Sequence, residues 1–300
     1  MKKFISLISS VALAATMTAA FSANAADDAS EKSSDPSFYF KADEAEGTEV
    51  LKFGRIFVNT KKSEGKIPAA VYIKDEKKVA GQVFLKWASD NKDLKIKNAT
   101  GPVAKYGATP YKSFTSDDDV AIVVLDAING VGLNYSDISS AAPMECTGET
   151  SDAYPLACFD AVFEKNAAGG TYNIGVYDQG AYFSSVVCRP TGDGKSVEVF
   201  PAETSPKLTI NAANRMLGDV NDDGLVDAVD SSLIMKAYAK MSASDEDPGL
   251  TGDQTACADV NGDGNIDAVD ASNILAYYAY ASSITEGDTL SLNNFIKSRK

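Results

Sequence analysis

Hydrophobic and polar residues alternate over short stretches between residues 39 and 210, and clusters of polar turn residues separate these stretches. Alternation places successive side chains on opposite faces of a strand, so each stretch predicts a β-strand with one buried face. No long segment with helical spacing interrupts them, which favours an antiparallel β-sandwich. The predicted strands are 56–58, 69–73, 79–87, 120–125, 159–163, 172–177, 182–187 and 197–200.

The pattern changes after Asn214, where Asp, Asn and Gly cluster and the hydrophobic residues take up helical spacing. Each of two predicted helices directly follows a polar loop, and no helix is predicted to enter the first loop. The C-terminal region is therefore predicted to be a small all-α domain of two loop–helix units. The residues that share one face are Val229, Leu233 and Ala237 in the first helix, and Val269, Ile274, Tyr277 and Tyr278 in the second.

The N-terminus has the pattern of a secretory signal peptide. Two lysines precede an apolar run at 4–21, and Ala23-Asn24-Ala25 is a small-x-small cleavage sequence. A membrane anchor is the alternative, but the acidic stretch after Ala25 favours removal of the signal. The mature protein is therefore expected to be secreted and extracellular, without membrane insertion. We divide the chain into a signal peptide at 1–25, a polar leader at 26–38, a β-sandwich at 39–205, a linker at 206–214, the helical domain at 215–285 and a tail at 286–300.

The composition limits the partners and the kinds of catalysis that this chain could have. The chain of 300 residues has a formal net charge of −14 and contains no histidine. An acidic protein repels the phosphates of nucleic acids and anionic membranes, so neither is an expected partner. Ser–His–Asp and Cys–His catalysis, and the usual histidine-based catalytic zinc site, all need an imidazole and are excluded. An enzyme built from this chain would depend on carboxylate, Lys or Tyr side chains.

The cysteines leave two possibilities open. An exported protein permits disulfides, and Cys146 with Cys158 would close a short loop, but four cysteines allow three pairings. Free buried thiols are the other possibility. Because there is no CxxC sequence and no histidine, a zinc site is not expected. The four cysteines are Cys146, Cys158, Cys188 and Cys257.

The two loop–helix units form an internal repeat, since the first loop begins at Asp219 and the second begins 40 positions later at Asp259. Calcium takes about six to eight oxygen ligands, and a loop can supply them from positions 1, 3, 5, 7, 9 and 12, with glycine at position 6. Both loops have oxygen donors at these positions, and aspartate replaces the usual glutamate at position 12. Magnesium prefers octahedral geometry and keeps its waters, so calcium is the better candidate. The predicted ligands of two calcium ions are Asp219, Asn221, Asp223, the Leu225 carbonyl, Asp227 and Asp230 in the first loop, and Asp259, Asn261, Asp263, the Asn265 carbonyl, Asp267 and Asp270 in the second.

The repeated DxNxDGxxxxxD sequence with its following helix resembles the type I dockerin, a module that binds cohesins in cellulosome-type assemblies. The resemblance implies that loop positions 10 and 11 and the solvent face of each helix contact the cohesin of a scaffoldin. Packing at the start of the helix is the alternative role for positions 10 and 11. The implied partner-binding residues are Ala228, Val229, Met235, Lys236 and Lys240 in the first repeat, and Ala268, Val269, Leu275 and Tyr280 in the second.

Two departures from the dockerin pattern concern the spacing and the contact residues. The connector at 241–258 lengthens the offset between the repeats, and an Ala-Val pair replaces the Ser-Thr type pair of some dockerins. The apolar pair implies a different partner specificity. Lys236 and Lys240 correspond to Ala276 and Tyr280, so the two helix faces are not equivalent. This difference disfavours a symmetric, two-way binding mode without excluding it.

Two stretches of the N-terminal region resemble a cohesin. Residues 66–87, followed by the aliphatic patch 94–96, are similar to the opening strands of that family, and residues 158–177 are similar to a later pair of strands. The resemblance implies a jelly-roll sandwich that binds a dockerin. If both resemblances hold, the protein is a non-catalytic adaptor scaffoldin, which joins a scaffold cohesin to a dockerin-bearing protein and attaches to the cell surface indirectly through the scaffold.

Two other functions remain open for the N-terminal region. It could be a carbohydrate hydrolase with paired carboxylates, although the acidic residues at 117–119 lie in a run typical of a solvated loop. It could instead be a carbohydrate-binding module, although Trp87 is the only tryptophan and its position at the end of an alternating strand favours the core.

Overall fold

The computed structural model describes most of the chain between Pro36 and Arg299. The predicted signal peptide, most of the polar leader and Cys146 lie outside the described residues. Within those residues no helix is both long and apolar enough to cross a membrane. The described residues are 36–75, 79–136, 144–145, 153–177, 185–191, 196–199, 206–244, 247–284 and 289–299.

The N-terminal region consists of β-strands, as the alternating pattern predicts. In Ala157–Phe163, for example, every second side chain is buried. The elements of this region are β1 (Ser37–Ala42), β2 (Thr48–Val50), β3 (Ile56–Asn59), β4 (Lys66–Lys74), β5 (Val79–Ala80), β6 (Gln82–Ser89), β7 (Leu94–Thr100), the short helix α1 (Val103–Tyr106), β8 (Ala121–Leu125), β9 (Gly130–Ser136), β10 (Met144–Glu145), β11 (Ala157–Phe163), β12 (Gly170–Val176), β13 (Val186–Pro190), β14 (Ser196–Val199) and β15 (Leu208–Ala213).

The larger strands form two sheets. One has the order β1-β4-β11-β7 and is antiparallel throughout. The other has the order β14-β13-β6-β12-β15-β3-β2. In addition, β9 pairs with β6, and β8 pairs with β9. Its pairs are antiparallel except for β3 and β15, which run parallel. Strands from the beginning and the end of this region therefore lie side by side.

The two sheets share one hydrophobic core. Val71 of the first sheet and Leu85 of the second are both fully buried in it. Trp87 is also fully buried, and its ring centroid lies 5.8 Å from that of Phe159 in the opposite sheet. Trp87 therefore belongs to the core, as its position at the end of an alternating strand predicts.

The structure corrects the predicted linker at 206–214. This segment contains β15, which pairs with β12 on one side and β3 on the other. Ala212 and Ala213 are fully buried.

The C-terminal region is helical, and polar side chains cap its helices. The Thr251 side chain accepts a hydrogen bond from the backbone of Gln254 at the start of the second helix of this region. This helix lies within the predicted connector at 241–258. The helices are α2 (Ala228–Ser244), α3 (Gly252–Ala258), α4 (Ala268–Ser283) and α5 (Leu292–Ser298).

The helical region and the sandwich share a second hydrophobic core. Ile234 of α2 and Ile274 of α4 are fully buried there. Leu51, Phe57 and Ala213 of the sandwich belong to the same cluster. The two regions are therefore packed against one another over a continuous apolar interface.

Candidate functional site: two calcium-type loops and their exposed helix faces

The first loop folds around the carboxylate of Asp219. Its Oδ1 accepts a hydrogen bond from the backbone N–H of Asp223 (3.1 Å), and its Oδ2 accepts one from Gly224 (3.0 Å). The Asn221 side chain accepts a hydrogen bond from the backbone N–H of Asp223 (3.0 Å), and the Asp223 side chain accepts one from that of Leu225 (2.9 Å). These bonds bend the chain around the oxygen atoms of the predicted ligands.

Asp230, at position 12, closes the first loop. Its Oδ1 accepts from the backbone of Val220 at 2.8 Å, and its Oδ2 accepts from Asp227 at 2.9 Å. The Asp227 carboxylate in turn accepts from the Val229 N–H at 2.7 Å, at the first turn of α2. Positions 9 and 12 therefore cap the helix as well as closing the loop.

The second loop repeats this geometry. Asp259 accepts from the backbone of Gly262 at 2.9 Å and of Gly264 at 3.1 Å. Asp270 accepts from Val260 at 3.0 Å and from Asp267 at 3.1 Å. The two repeats thus share most of their hydrogen bonds, but the Oδ1 atom of the first aspartate accepts from position 5 in the first loop and from position 4 in the second.

Left-handed backbone conformations at positions 4 and 6 produce the tight turn in each loop. At position 6, Gly224 has φ +84° and Gly264 has φ +94°. At position 4, Asp222 has φ 64° and Gly262 has φ 79°. Glycine adopts these values without steric cost, and aspartate tolerates them better than most residues.

Each loop buries two carboxylates. Asp219 and Asp259 are 2% and 3% exposed, and Asp230 and Asp270 are both 0% exposed. Burial raises the pKa of the Asp230 and Asp259 carboxyls and raises the pKa of Asp270 to about 7. Two buried like charges are costly unless a cation neutralises them, so the loops fit a cation electrostatically.

The donor types also fit calcium. Each predicted ligand set combines carboxylates with one amide oxygen and one backbone carbonyl, which are the hard donors that calcium takes. Among the described residues, no group of three or more side chains drawn only from Cys, Asp and Glu is arranged to hold a metal ion. The mixed donor set therefore remains a prediction for both loops.

The predicted partner-binding residues at positions 10 and 11 are exposed. Val229 is 52% exposed and Val269 is 51% exposed, and Ala228 and Ala268 are exposed beside them. The alternative, in which these residues pack at the start of each helix, does not hold. Further along the helices, Met235 and Leu275 are 43% and 46% exposed, and Lys236 and Lys240 are exposed as well.

Tyr280 is only partly exposed, because it packs against the C-terminal helix. Its ring stacks on Phe295 of α5 with 4.9 Å between centroids. Its hydroxyl accepts a hydrogen bond from the backbone of Leu290 at 3.3 Å. The corresponding residue of the first repeat, Lys240, is exposed. The C-terminal helix therefore covers part of the second repeat.

The sandwich residues that contact the second loop were not predicted from the sequence. Arg55 and Asn211 both approach the Asp259 carboxylate, at 3.6 Å and 3.2 Å. The backbone N–H of Phe53 donates to the Asn261 carbonyl at 3.1 Å. Neither residue type nor spacing marks these positions, because they contact the loop only through the tertiary fold.

The cysteines of the described part of the chain are free thiols. Cys158 and Cys188 are partly buried and Cys257 is fully buried. Burial raises the pKa of the Cys158 and Cys188 thiols to about 11. Of the two possibilities left open by the sequence, the structure supports free thiols for these three residues.

Several solved structures are similar to this chain. The seventh ScaB type I cohesin from Pseudobacteroides cellulosolvens is 12% identical, with a TM-score of 0.37, over 58% of this chain and 92% of that chain. The third ScaB cohesin of R. flavefaciens, in complex with a group 1 dockerin, is 16% identical, with a TM-score of 0.33, over 60% of this chain and 98% of that chain.

The second type II cohesin module of the adaptor ScaA scaffoldin of Acetivibrio cellulolyticus is 14% identical, with a TM-score of 0.32, over 58% of this chain and 96% of that chain. No curated protein matches the chain. A family model does match its C-terminal region, over residues 217–277, which include both loops, all of α2 and most of α4. This segment of the chain is therefore similar to the dockerin type I domain.

Proposed function

We propose that the protein is a non-catalytic adaptor of an extracellular cellulosome-type complex. Its C-terminal domain, loaded with two calcium ions, binds a cohesin of a scaffoldin, and its sandwich binds a dockerin-bearing protein. The observation that carries the proposal is the pair of loops with the same hydrogen-bond geometry, within the segment that matches the dockerin type I family.

Calcium has a structural role in this proposal. The ion supplies the positive charge that the buried carboxylates of each loop need. Because Asp227 and Asp267 also cap α2 and α4, an ordered loop fixes the first turn of the helix that follows it. The positions and exposure of the partner-binding residues therefore depend on an intact loop.

The first repeat offers the better docking face. Val229 and Met235 provide exposed apolar surface, and Lys236 and Lys240 add positive charge beside it. In the second repeat, Tyr280 packs on α5 instead. We therefore assign cohesin binding to the first repeat, and we expect a partner surface with an apolar centre and acidic residues at its rim.

The placement of the two cohesin-like stretches supports the proposal for the sandwich. Residues 66–87 include β4, β5 and most of β6, and residues 158–177 include almost all of β11 and all of β12. β11 pairs with β4 in one sheet, and β12 pairs with β6 in the other. The two stretches are thus neighbours in both sheets, as paired parts of one module would be.

Calcium-dependent capture from the exported proteins of the source tests the proposal. The mature chain, with calcium, is expected to retain both a cohesin-bearing scaffold and dockerin-bearing proteins. Chelation is expected to release the scaffold, because the docking face depends on the loops. Retention on polysaccharide, or its hydrolysis, without any dockerin-bearing protein would instead show a carbohydrate-binding module or a hydrolase.

Matched surface variants locate the docking face. V229D with M235D changes the first repeat, and V269D with L275D changes the second, at positions that are all 43% to 52% exposed. We expect the first pair to abolish scaffold capture while dockerin capture by the sandwich continues. We expect the second pair to retain both activities. Loss of scaffold capture with the second pair alone would contradict the assignment.

A further inference from the structure

The sandwich covers positions 3 and 4 of the second calcium-type loop but leaves the same positions of the first loop accessible. Asn261 at position 3 is 2% exposed and Gly262 beside it is buried. In the first loop, Asn221 is partly exposed and Asp222 is exposed. The two loops share the hydrogen bonds from position 6 to position 1 and from positions 2 and 9 to position 12. The difference in exposure at positions 3 and 4 coincides with the contacts that the sandwich makes with the second loop.

Glycines at two positions allow this close approach. A Cβ atom on Gly262 would lie 2.6 Å from the Leu51 Cβ, and one on Gly264 would lie 2.1 Å from the Arg55 Nη2. A Cβ atom on Gly224 in the first loop would have no neighbour within 4 Å among the described residues. The sandwich segment around Leu51 and Arg55 therefore fits the second loop specifically.

Two sandwich side chains converge on one oxygen of the second loop. Asp259 Oδ2 accepts a hydrogen bond from Asn211 Nδ2 at 3.2 Å, and Arg55 Nη1 lies 3.6 Å from it. The same oxygen accepts the Gly264 N–H at 3.1 Å. In the first loop, the Asp219 carboxylate accepts hydrogen bonds from the backbone N–H groups of Asp223 and Gly224, which belong to the same loop.

We infer that Arg55 and Asn211 are positioning residues of the second calcium site, so that calcium binding there and the packing of the two domains stabilise each other. Residues behind a metal ligand fix its orientation, and their loss typically weakens metal binding by about 10- to 100-fold. Coupling of this kind is reciprocal, so calcium must stabilise the sandwich if the sandwich strengthens calcium binding. The inference rests on the calcium binding proposed above, and does not depend on any partner.

The test follows each loop separately in the mature chain. The backbone amides of Gly224 and Gly264 each donate to the first aspartate of their own loop, so their ¹⁵N NMR signals report the two sites during a calcium titration. We expect R55A to weaken binding at the second loop by about tenfold or more. Binding at the first loop should be unchanged.

K52A is the matched control, because Lys52 lies in the same sandwich segment but donates to the Arg299 carbonyl, away from the loop. It should leave both titrations unchanged. An R55A variant with unchanged or stronger binding at the second loop, or with equal weakening at both loops, would overturn the inference. If neither glycine signal of the wild type responds to calcium, the proposed calcium binding fails first.

A second measurement needs no variant. Trp87 is the only tryptophan and lies in the sandwich core, so its fluorescence reports unfolding of the sandwich alone. Calcium is expected to raise the midpoint temperature of that transition, although both loops lie outside the sandwich. A midpoint that calcium does not change would contradict the coupling.

Discussion

At the scale of single residues, position 4 shows how the surroundings of each loop select its sequence. Asp222 and Gly262 share a left-handed backbone conformation. The first loop is open at this position and accepts aspartate. The second loop faces Leu51, which leaves no space for a Cβ atom.

An exchange of these two residues should therefore have unequal effects. G262D must place a side chain against Leu51 in a strained backbone conformation, and we expect a loss of about 2 to 4 kcal/mol in the free energy of unfolding. D222G removes an exposed side chain and should change stability by less than about 0.5 kcal/mol. Urea denaturation in calcium measures both, and equal losses would show that the contact with Leu51 does not determine the residue.

The same scale shows how much of the site could be predicted from sequence. The loop residues were predictable because the oxygen donors and the glycine are close together in the chain. Arg55 and Asn211 were not, because more than 40 residues separate each of them from Asp259 and no local pattern marks them. Tyr280 was predicted only as a partner contact. Its packing on Phe295 could not be predicted, because that contact depends on the fold of the tail.

At the scale of elements, β6 is the central strand of the larger sheet, and one residue in it is costly to bury. Lys86 is only 5% exposed, and its ammonium lies 5.1 Å from the centre of the Phe84 ring. Burial lowers the pKa of Lys86 from 10.5 to about 8. A lowered lysine pKa means that the folded state disfavours the charged form.

This shift gives a pH-dependent effect for K86M. At pH 7 Lys86 is charged in both the folded and the unfolded state, so folding bears the full cost of burying the charge. This cost decreases as the pH rises above about 8 and is lost above 10.5, where Lys86 is neutral in both states. We expect K86M to increase the free energy of unfolding by about 1 to 3 kcal/mol at pH 7, and by progressively less towards pH 10.5. Denaturation across this pH range, with K97M at an exposed lysine as the control, measures the difference.

Strands differ in how well the sequence predicts them. The alternation of apolar and polar residues identified β4, β6 and β11. It missed β9, because Gly130 and Gly132 interrupt the apolar pattern. A Cβ on Gly130 would lie 2.4 Å from the Trp87 carbonyl oxygen. The glycine that interrupts the apolar pattern therefore also allows β9 to approach β6 closely. The alternating pattern reaches Ile210, within β15, but does not extend to Ala212 and Ala213, because buried alanines are typical of no single structure.

At the scale of the whole molecule, the shared core joins the two regions that the sequence separates. Leu51 and Phe57 of the sandwich and Cys257 of α3 belong to the same buried cluster. The alternating pattern predicted the sandwich and the repeat predicted the helical domain, but neither predicted their association, because the contacts join residues far apart in the chain. Loss of calcium should therefore disturb this interface as well as the loops.

The accessibility of Cys257 tests this. Its side chain is fully buried in the shared core, so a thiol reagent at neutral pH should modify it very slowly in the calcium-loaded protein. Chelation is expected to increase the rate of modification at Cys257 by at least about tenfold, because the core opens with the loops. Mass spectrometry of the labelled chain, with C257A as the control, identifies the site. Equal rates with and without calcium would show that the core stays closed when the loops are empty.

The parallel pairing of β3 and β15 has a mechanical consequence. β15 runs from the sandwich almost directly into the first loop, with only the segment 214–218 between Ala213 and Asp219. A force applied to the helical domain would act on the sandwich along β15. The hydrogen bonds of β15 to β3 and β12 would then bear the force together. In the proposed adaptor, this direct connection would keep the two binding partners at a fixed spacing.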